Sequence, residues 1–126
     1  MQNEEPNETE WRPEFTFDSG DKYTGHWVKG TKIKQGLGVL VWLDGSRYEG
    51  QFKRNKINGR GKVTFFNGDW YDGSFVNGKK TGQGLYMFVD GRNYDGAWLN
   101  DMQHGQGTFT YSDGSVCTGM WSENQF

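Results

Sequence analysis

Along much of this chain an aromatic residue or a glycine occupies every second position, and polar residues fill the places between. In YEGQFK, Tyr48, Gly50 and Phe52 alternate with Glu49, Gln51 and Lys53. A period of two is that of a β-strand, whose successive side chains point to opposite faces. Such a strand presents one aromatic face and one wet face. A second run has the same alternation: Gly61, Val63 and Phe65, matched by Gly38, Leu40 and Trp42, by Gly84, Tyr86 and Phe88, and by Gly107, Phe109 and Tyr111. Glycine weakens a strand interior, so glycine columns beside ring columns imply that each ring lies over its neighbour's backbone.

These runs recur at fixed spacing. The unit opens as YTGHW at Tyr23, YEGQF at Tyr48, YDGSF at Tyr71, YDGAW at Tyr94 and CTGMW at Cys117, at spacings of 25, 23, 23 and 23 residues. Each unit continues through a glycine pair (36/38, 59/61, 82/84, 105/107) and closes on Asp44-Gly45, Asn67-Gly68, Asp90-Gly91 or Asp113-Gly114. All 20 glycines fall in five columns of this repeat, so none is a special loop of its own. A period in this range marks a stacked array. The pattern predicts an all-β fold, an elongated single-layer twisted antiparallel sheet of stacked β-hairpins. Full units cover 23–47, 48–70, 71–93 and 94–116, with half units at 11–22 and 117–126. The Asp-Gly and Asn-Gly dipeptides predict tight hairpin turns, and segments such as Lys53 to Arg60 predict longer loops within a unit. The first of these loops, Val28 to Gln35, carries two extra residues. Pro13 replaces a glycine and suits an edge strand, since it has no N–H to donate. Strands about 4.8 Å apart give a sheet roughly 45 to 50 Å long, curved with its aromatic face concave. Residues 1–10, MQNEEPNETE, are acidic and lack apolar periodicity, and read as a disordered tail.

Composition sharpens this picture. Only 33% of the 126 residues are hydrophobic, yet 17% are aromatic, so rings rather than aliphatic side chains must supply the burial. A net charge of -2 gives no general attraction to nucleic acid. There is no apolar run long enough to span a membrane and no signal-type segment at the start. The sole cysteine excludes an internal disulfide or a multi-cysteine zinc site. A soluble, intracellular protein is expected.

Catalysis needs converging groups, and the candidates do not converge. His26 and His104 occupy different columns of distant units, Cys117 fills a tyrosine column, and most aspartates sit in turns, where they support their own backbone. The Gly-x-Gly pairs are not followed by a helix, as a phosphate cradle would require. A non-enzymatic protein without cofactor or metal is the expectation.

The run YEGQFKRNKINGRG followed by KVTFFNGDWYDG resembles the MORN repeat (membrane occupation and recognition nexus). His104-Gly105-Gln106-Gly107 fits its HGxG element, while Gln35, Asn58 and Thr81 replace the histidine elsewhere. The resemblance runs from about Trp11 onward. It implies twisted sheets of stacked hairpins that act mostly as scaffolds in cytoskeletal collars, membrane junctions and ciliary radial spokes, and hence a cytoskeletal place or one in a cilium or flagellum axoneme.

Two surfaces are then candidate sites. The first is the aromatic face, with Trp27, Trp42, Tyr48, Phe52, Phe65, Tyr71, Phe75, Phe88, Tyr94 and Trp98 lining a groove for a helical or extended segment of a protein partner, because exposed apolar patches of some size mark interaction surfaces. The second is a basic loop edge for an acidic segment or anionic phospholipid: Lys29, Lys32, Lys34, Lys53, Arg54, Lys56, Arg60, Lys79 and Lys80, facing the single acid Asp101. The opposite edge is richer in acid, with Asp18, Asp21, Asp44, Asp69, Asp90 and Asp113. Half units at both ends leave edge strands, which invite self-association.

Overall fold

The computed structural model describes residues 8–126. They form one open sheet of ten antiparallel strands in chain order. The strands are β1 (Thr9–Thr16), β2 (Lys22–Val28), β3 (Lys34–Val41), β4 (Arg47–Lys53), β5 (Lys56–Thr64), β6 (Trp70–Val76), β7 (Lys79–Met87), β8 (Asn93–Leu99), β9 (Met102–Thr110) and β10 (Val116–Trp121). The all-β stacked hairpins expected from the repeat are what the chain builds.

Register explains the glycines. Gly50 pairs with Gly61 and Gly61 with Gly73, so a row of glycines crosses the sheet strand by strand. The tyrosine rings cover that row. A Cβ on Gly61 would overlap the Tyr48 hydroxyl and ring, and one on Gly50 would lie 2.5 Å from the Gly61 Cα. Each buried hydroxyl then donates to the carbonyl three residues on, Tyr23 to His26 at 2.6 Å, Tyr48 to Gln51 at 2.8 Å, Tyr71 to Ser74 and Tyr94 to Ala97 at 2.9 Å.

The core is a zigzag of rings, in which each tyrosine meets the ring of its own strand edge-on and then that of the next unit. Tyr48 contacts Phe52 at 5.1 Å and Phe75 at 5.6 Å, and Tyr71 contacts Phe75 at 5.1 Å and Trp98 at 5.4 Å. Interplanar angles of 80 to 89° in these pairs are the favoured edge-to-face arrangement, worth about 0.5 to 1.5 kcal/mol per pair beyond area. A single layer thus acquires a continuous core without a second sheet.

The two kinds of turn are the reverse of the sequence expectation. At Asp44-Gly45, the Gly45 N–H donates to Trp42 O and the Trp42 N–H to Ser46 O, both at 2.9 Å. Only the glycine has positive φ, +94°, which makes this a turn closed by a glycine bulge rather than a two-residue loop. The aspartate accepts from the Ser46 N–H at 2.8 Å, and Asn67, Asp90 and Asp113 do the same two residues on. The tight two-residue turns lie inside the units, where Arg54 and Asn55 have φ of 50° and 73° and Lys53 pairs with Lys56. The expected loop from Lys53 to Arg60 is therefore largely strand. Its surplus length becomes a bulge, because Gly50 pairs with Gly61 while Phe52 pairs with Ile57. Gly59 in that bulge has a φ of 101°, and the Gln51 side chain accepts the Arg60 N–H at 2.8 Å.

The N-terminal boundary also moves. Residues 1–7 of the expected tail lie outside the described residues, but Thr9 and Glu10 pair with Val28 and Trp27, and Glu8 O accepts from the Lys29 N–H at 2.9 Å. Ladder bonds need no apolar side chain, so a polar, acidic segment can still pair with β2. Pro13 sits at the register shift of β1, an edge strand, as its missing donor requires.

Candidate functional site: the ring-lined face and its central cleft

Most of the face expected to be open is closed by its own rings. Trp27, Tyr48, Phe52, Tyr71, Phe75, Tyr94 and Trp98 are all buried, while Trp42, Phe65 and Phe88 are half-buried. The physical reason is the glycine row. The Trp98 indole donates to Gly84 O and the Trp121 indole to Gly107 O, each at 3.1 Å, so these indoles reach the glycine row. Seven of the ten rings assigned to partner binding therefore form the core.

One part of the face stays open. A cleft of about 560 Å³ is lined by Trp42, Asp44, Ser46, Ile57, Val63, Phe65, Tyr71, Phe75, Gly78, Lys80 and Asp101. Its origin lies in differences between units. Val63 stands where the neighbours carry Leu40, Tyr86 and Phe109, and Phe52 and Phe75 stand where the outer units carry Trp27, Trp98 and Trp121. Ile57 replaces Lys34, Lys80 and Gln103. Smaller side chains in the central units leave space that the outer units fill.

Those lysines lie on the ring face, not on an edge. Lys34 Nζ is 4.7 Å from the Phe17 ring centre and 5.6 Å from that of Tyr23, and burial lowers its pKa below the ordinary lysine value. Lys80 Nζ lies 5.4 Å from Trp98, 5.8 Å from Tyr71 and 3.4 Å from the Asp101 carboxylate.

The expected basic edge is accordingly dispersed. Lys34 and Lys80 belong to the rings, Lys32 Nζ lies 5.2 Å over Phe15, and Lys29 pairs with Glu8 at 3.6 Å. Arg60 pairs with Ser74 within the sheet and points to the face away from the tyrosines. Lys53, Arg54, Lys56 and Lys79 remain exposed around two neighbouring turns. Six of the nine, Lys34, Lys53, Lys56, Arg60, Lys79 and Lys80, are strand residues, and alternation sends strand residues to different faces.

The acidic edge has a structural task. Asp69, only 7% exposed, accepts from the Tyr86 hydroxyl at 2.8 Å and from the Val89 N–H at 2.9 Å. Asp21 likewise accepts the Leu43 N–H at 3.0 Å. Each ties one turn to the next. On the other edge Gln35, Asn58 and Thr81 accept the N–H of Arg54, Asn77 and Asn100. This shows why polar residues other than histidine serve in the His104 column.

The opposite face is less wet than its alternation implied. Trp11 and Leu37, 59% and 61% exposed, line a shallow trough with His26 and Val39. Lys62 Nζ lies 4.5 Å over the Trp70 ring on that side. The signal was legible in QGLGVLVW, where Leu37, Val39 and Val41 are apolar on the face away from Leu40.

No cluster of three potential metal-ligating side chains exists among the described residues. One hairpin per period, stacked into a single open sheet with a shared ring core, defines a β-hairpin repeat protein. The MORN repeat profile matches residues 23–47, 48–70, 71–91 and 94–116, and the chain belongs to the MORN-repeat family. No curated protein matches the chain. MORN repeats are generally modules of protein or membrane interaction, and the family is a non-enzymatic repeat module.

Proposed function

We propose that this chain is a non-catalytic scaffold that receives a helical or extended segment of a protein partner on its ring-lined face, within a cytoskeletal or ciliary assembly. The cleft carries the reading: it is an apolar depression walled by two half-buried rings, Trp42 and Phe65, on a face whose other rings are mostly packed away. Apolar depressions with a few polar groups at their ends are where partner side chains anchor. The assembly rests on the family alone, and imaging of the tagged protein tests it; diffuse distribution with no filament or axoneme association removes it.

Trp42→Ser combined with Phe65→Ser is expected to lower recovery of the native partner by about tenfold or more, in line with a buried aromatic hot spot. Affinity purification with mass spectrometry reads this, and circular dichroism checks that the sheet survives. Equal recovery from a folded variant sinks the proposal. The second reading, an anionic-phospholipid tether, is favoured by the exposed Lys53, Arg54, Lys56 and Lys79. It expects flotation with anionic liposomes that weakens as salt rises; no binding at low salt removes it.

Self-association is favoured at β10 over β1, whose edge is blunted by the Pro13 bulge. A monomer by light scattering at micromolar concentration would count against it.

A further inference from the structure

We infer that the central cleft receives a cationic side chain, a lysine or arginine carried by the partner segment. This rests on the reading of that face as a docking surface and specifies its ligand.

The chain supplies its own templates. In the flanking units a lysine lies over the rings, Lys34 Nζ 4.7 Å from Phe17 and Lys80 Nζ 5.4 Å from Trp98. The negative face of an aromatic ring attracts a cation, and the methylene stem covers apolar surface while the ammonium stays near water. Lys34 reaches back to Tyr23 and Trp27 of β2, and Lys80 lies between Tyr71 of β6 and Trp98 of β8. Between them the same column holds Ile57. It is apolar and brings no charge to the Trp42 and Phe65 rings that wall the cleft.

The ends of the cleft agree with this occupant. Asp44 lines one end, and Asp101 the other, 3.4 Å from Lys80. Lys80 already occupies the Asp101 end, so the Asp44 carboxylate, which shares the cleft wall with the Trp42 and Phe65 rings, is what complements a positive charge on an aliphatic stem. An acidic segment would meet like charge at Asp44. A wholly apolar one would strip water from Asp44 and return nothing to it.

A phage-displayed library of random peptides of about twelve residues, long enough to span the face, is selected on the full chain. Enriched peptides are synthesised with the shared basic residue or with norleucine in its place. The inference expects a lysine or arginine common to the enriched peptides and a loss of about tenfold or more on exchange to norleucine. It expects a comparable loss on Ile57→Lys, which installs the residue that two other units carry, and a smaller loss on Asp44→Asn. No enrichment overturns it, as does indifference to norleucine, a test made on the peptide and independent of how any variant folds. Peptides that ignore norleucine yet fail to bind the Trp42→Ser, Phe65→Ser variant would overturn the cationic ligand and leave the docking surface standing.

Discussion

Gly84→Ala should destabilise the sheet by about 3 kcal/mol or more, a cost at the upper end of those known for overpacked sites. The backbone at Gly84 is not in the left-handed region, so conformation is not the obstacle. The obstacle is Tyr71, whose Oη, Cε1 and Cζ occupy the volume a Cβ would need. That ring is 0% exposed and has nowhere to go. Displacing it breaks the 2.9 Å bond to Ser74 O and the edge-to-face contacts with Phe75 and Trp98. It also disturbs the Gly84 carbonyl that accepts the Trp98 indole. Gly91→Ala is the control, because its Cβ would meet nothing within 4 Å although φ is +98°. That change should cost about 1 to 2 kcal/mol, the left-handed penalty alone. Urea midpoints followed by tryptophan fluorescence compare the two, and a larger loss at Gly91 would refute the steric account. In an array each unit leans only on its neighbours, so Gly84→Ala is also expected to broaden the transition as the sheet parts near β6 and β7.

The fold was legible in the sequence because its cause is local and repeated. Period two, the tyrosine and glycine columns and the fixed spacing each speak for a strand of a stacked hairpin, and four copies leave little room for another reading. Turn chemistry was less legible. Asp-Gly is a strong signal for a two-residue turn, but Asp44 uses its side chain to hold Ser46, and only Gly45 takes the positive φ. Arg54-Asn55 carries no such signal and makes the tight turn all the same. Its conformation is held from outside, by Gln35 accepting the Arg54 N–H at 2.9 Å and by Asn55 accepting the Lys34 N–H at 2.8 Å.

The candidate site was legible as a face but not as a place. Alternation put Trp42 and Tyr48 on the same side, yet it could not say that Tyr48 would be fully buried and Trp42 half-buried. That distinction depends on how rings of neighbouring units interlock across the glycine row. The cleft comes from a contrast between units, Val63 against Tyr86 and Ile57 against Lys80. A search for what repeats passes over what differs. The basic edge dispersed for a related reason: a bulge in each hairpin shifts the phase of the alternation there, and a bulge is invisible to period counting.

Alkali should unfold this protein steeply between about pH 10 and pH 12. Burial pushes the Tyr23 and Tyr71 hydroxyls up to about 12, and burial likewise raises Tyr48, Tyr86 and Tyr94 above the ordinary tyrosine value. In Tyr86 the Asp69 carboxylate, which accepts its proton at 2.8 Å, adds to the effect. An unfolded tyrosine releases its proton near pH 10. Between that value and the raised folded one, the unfolded chain binds fewer protons than the native chain, so stability falls as pH rises. The contribution is complete below about pH 10 and is lost as pH climbs through the folded values. Each such tyrosine can remove up to about 1.4 kcal/mol per pH unit. With five acting together on a domain whose whole stability is on the order of 5 to 15 kcal/mol, little survives a rise of one to two units. Urea unfolding free energies measured from pH 8 to 11 should be flat at first and then fall with a slope of several protons. Tyrosinate absorbance should rise together with loss of the β-sheet signal, because native hydroxyls are held by the carbonyls of His26, Gln51, Ser74 and Ala97. Ionisation of most tyrosines near pH 10 with the sheet intact would overturn the argument. Tyr71→Phe isolates one member. It should weaken the fold at neutral pH by about 1 kcal/mol, the worth of a hydrogen bond, and make the alkaline slope shallower by up to one proton.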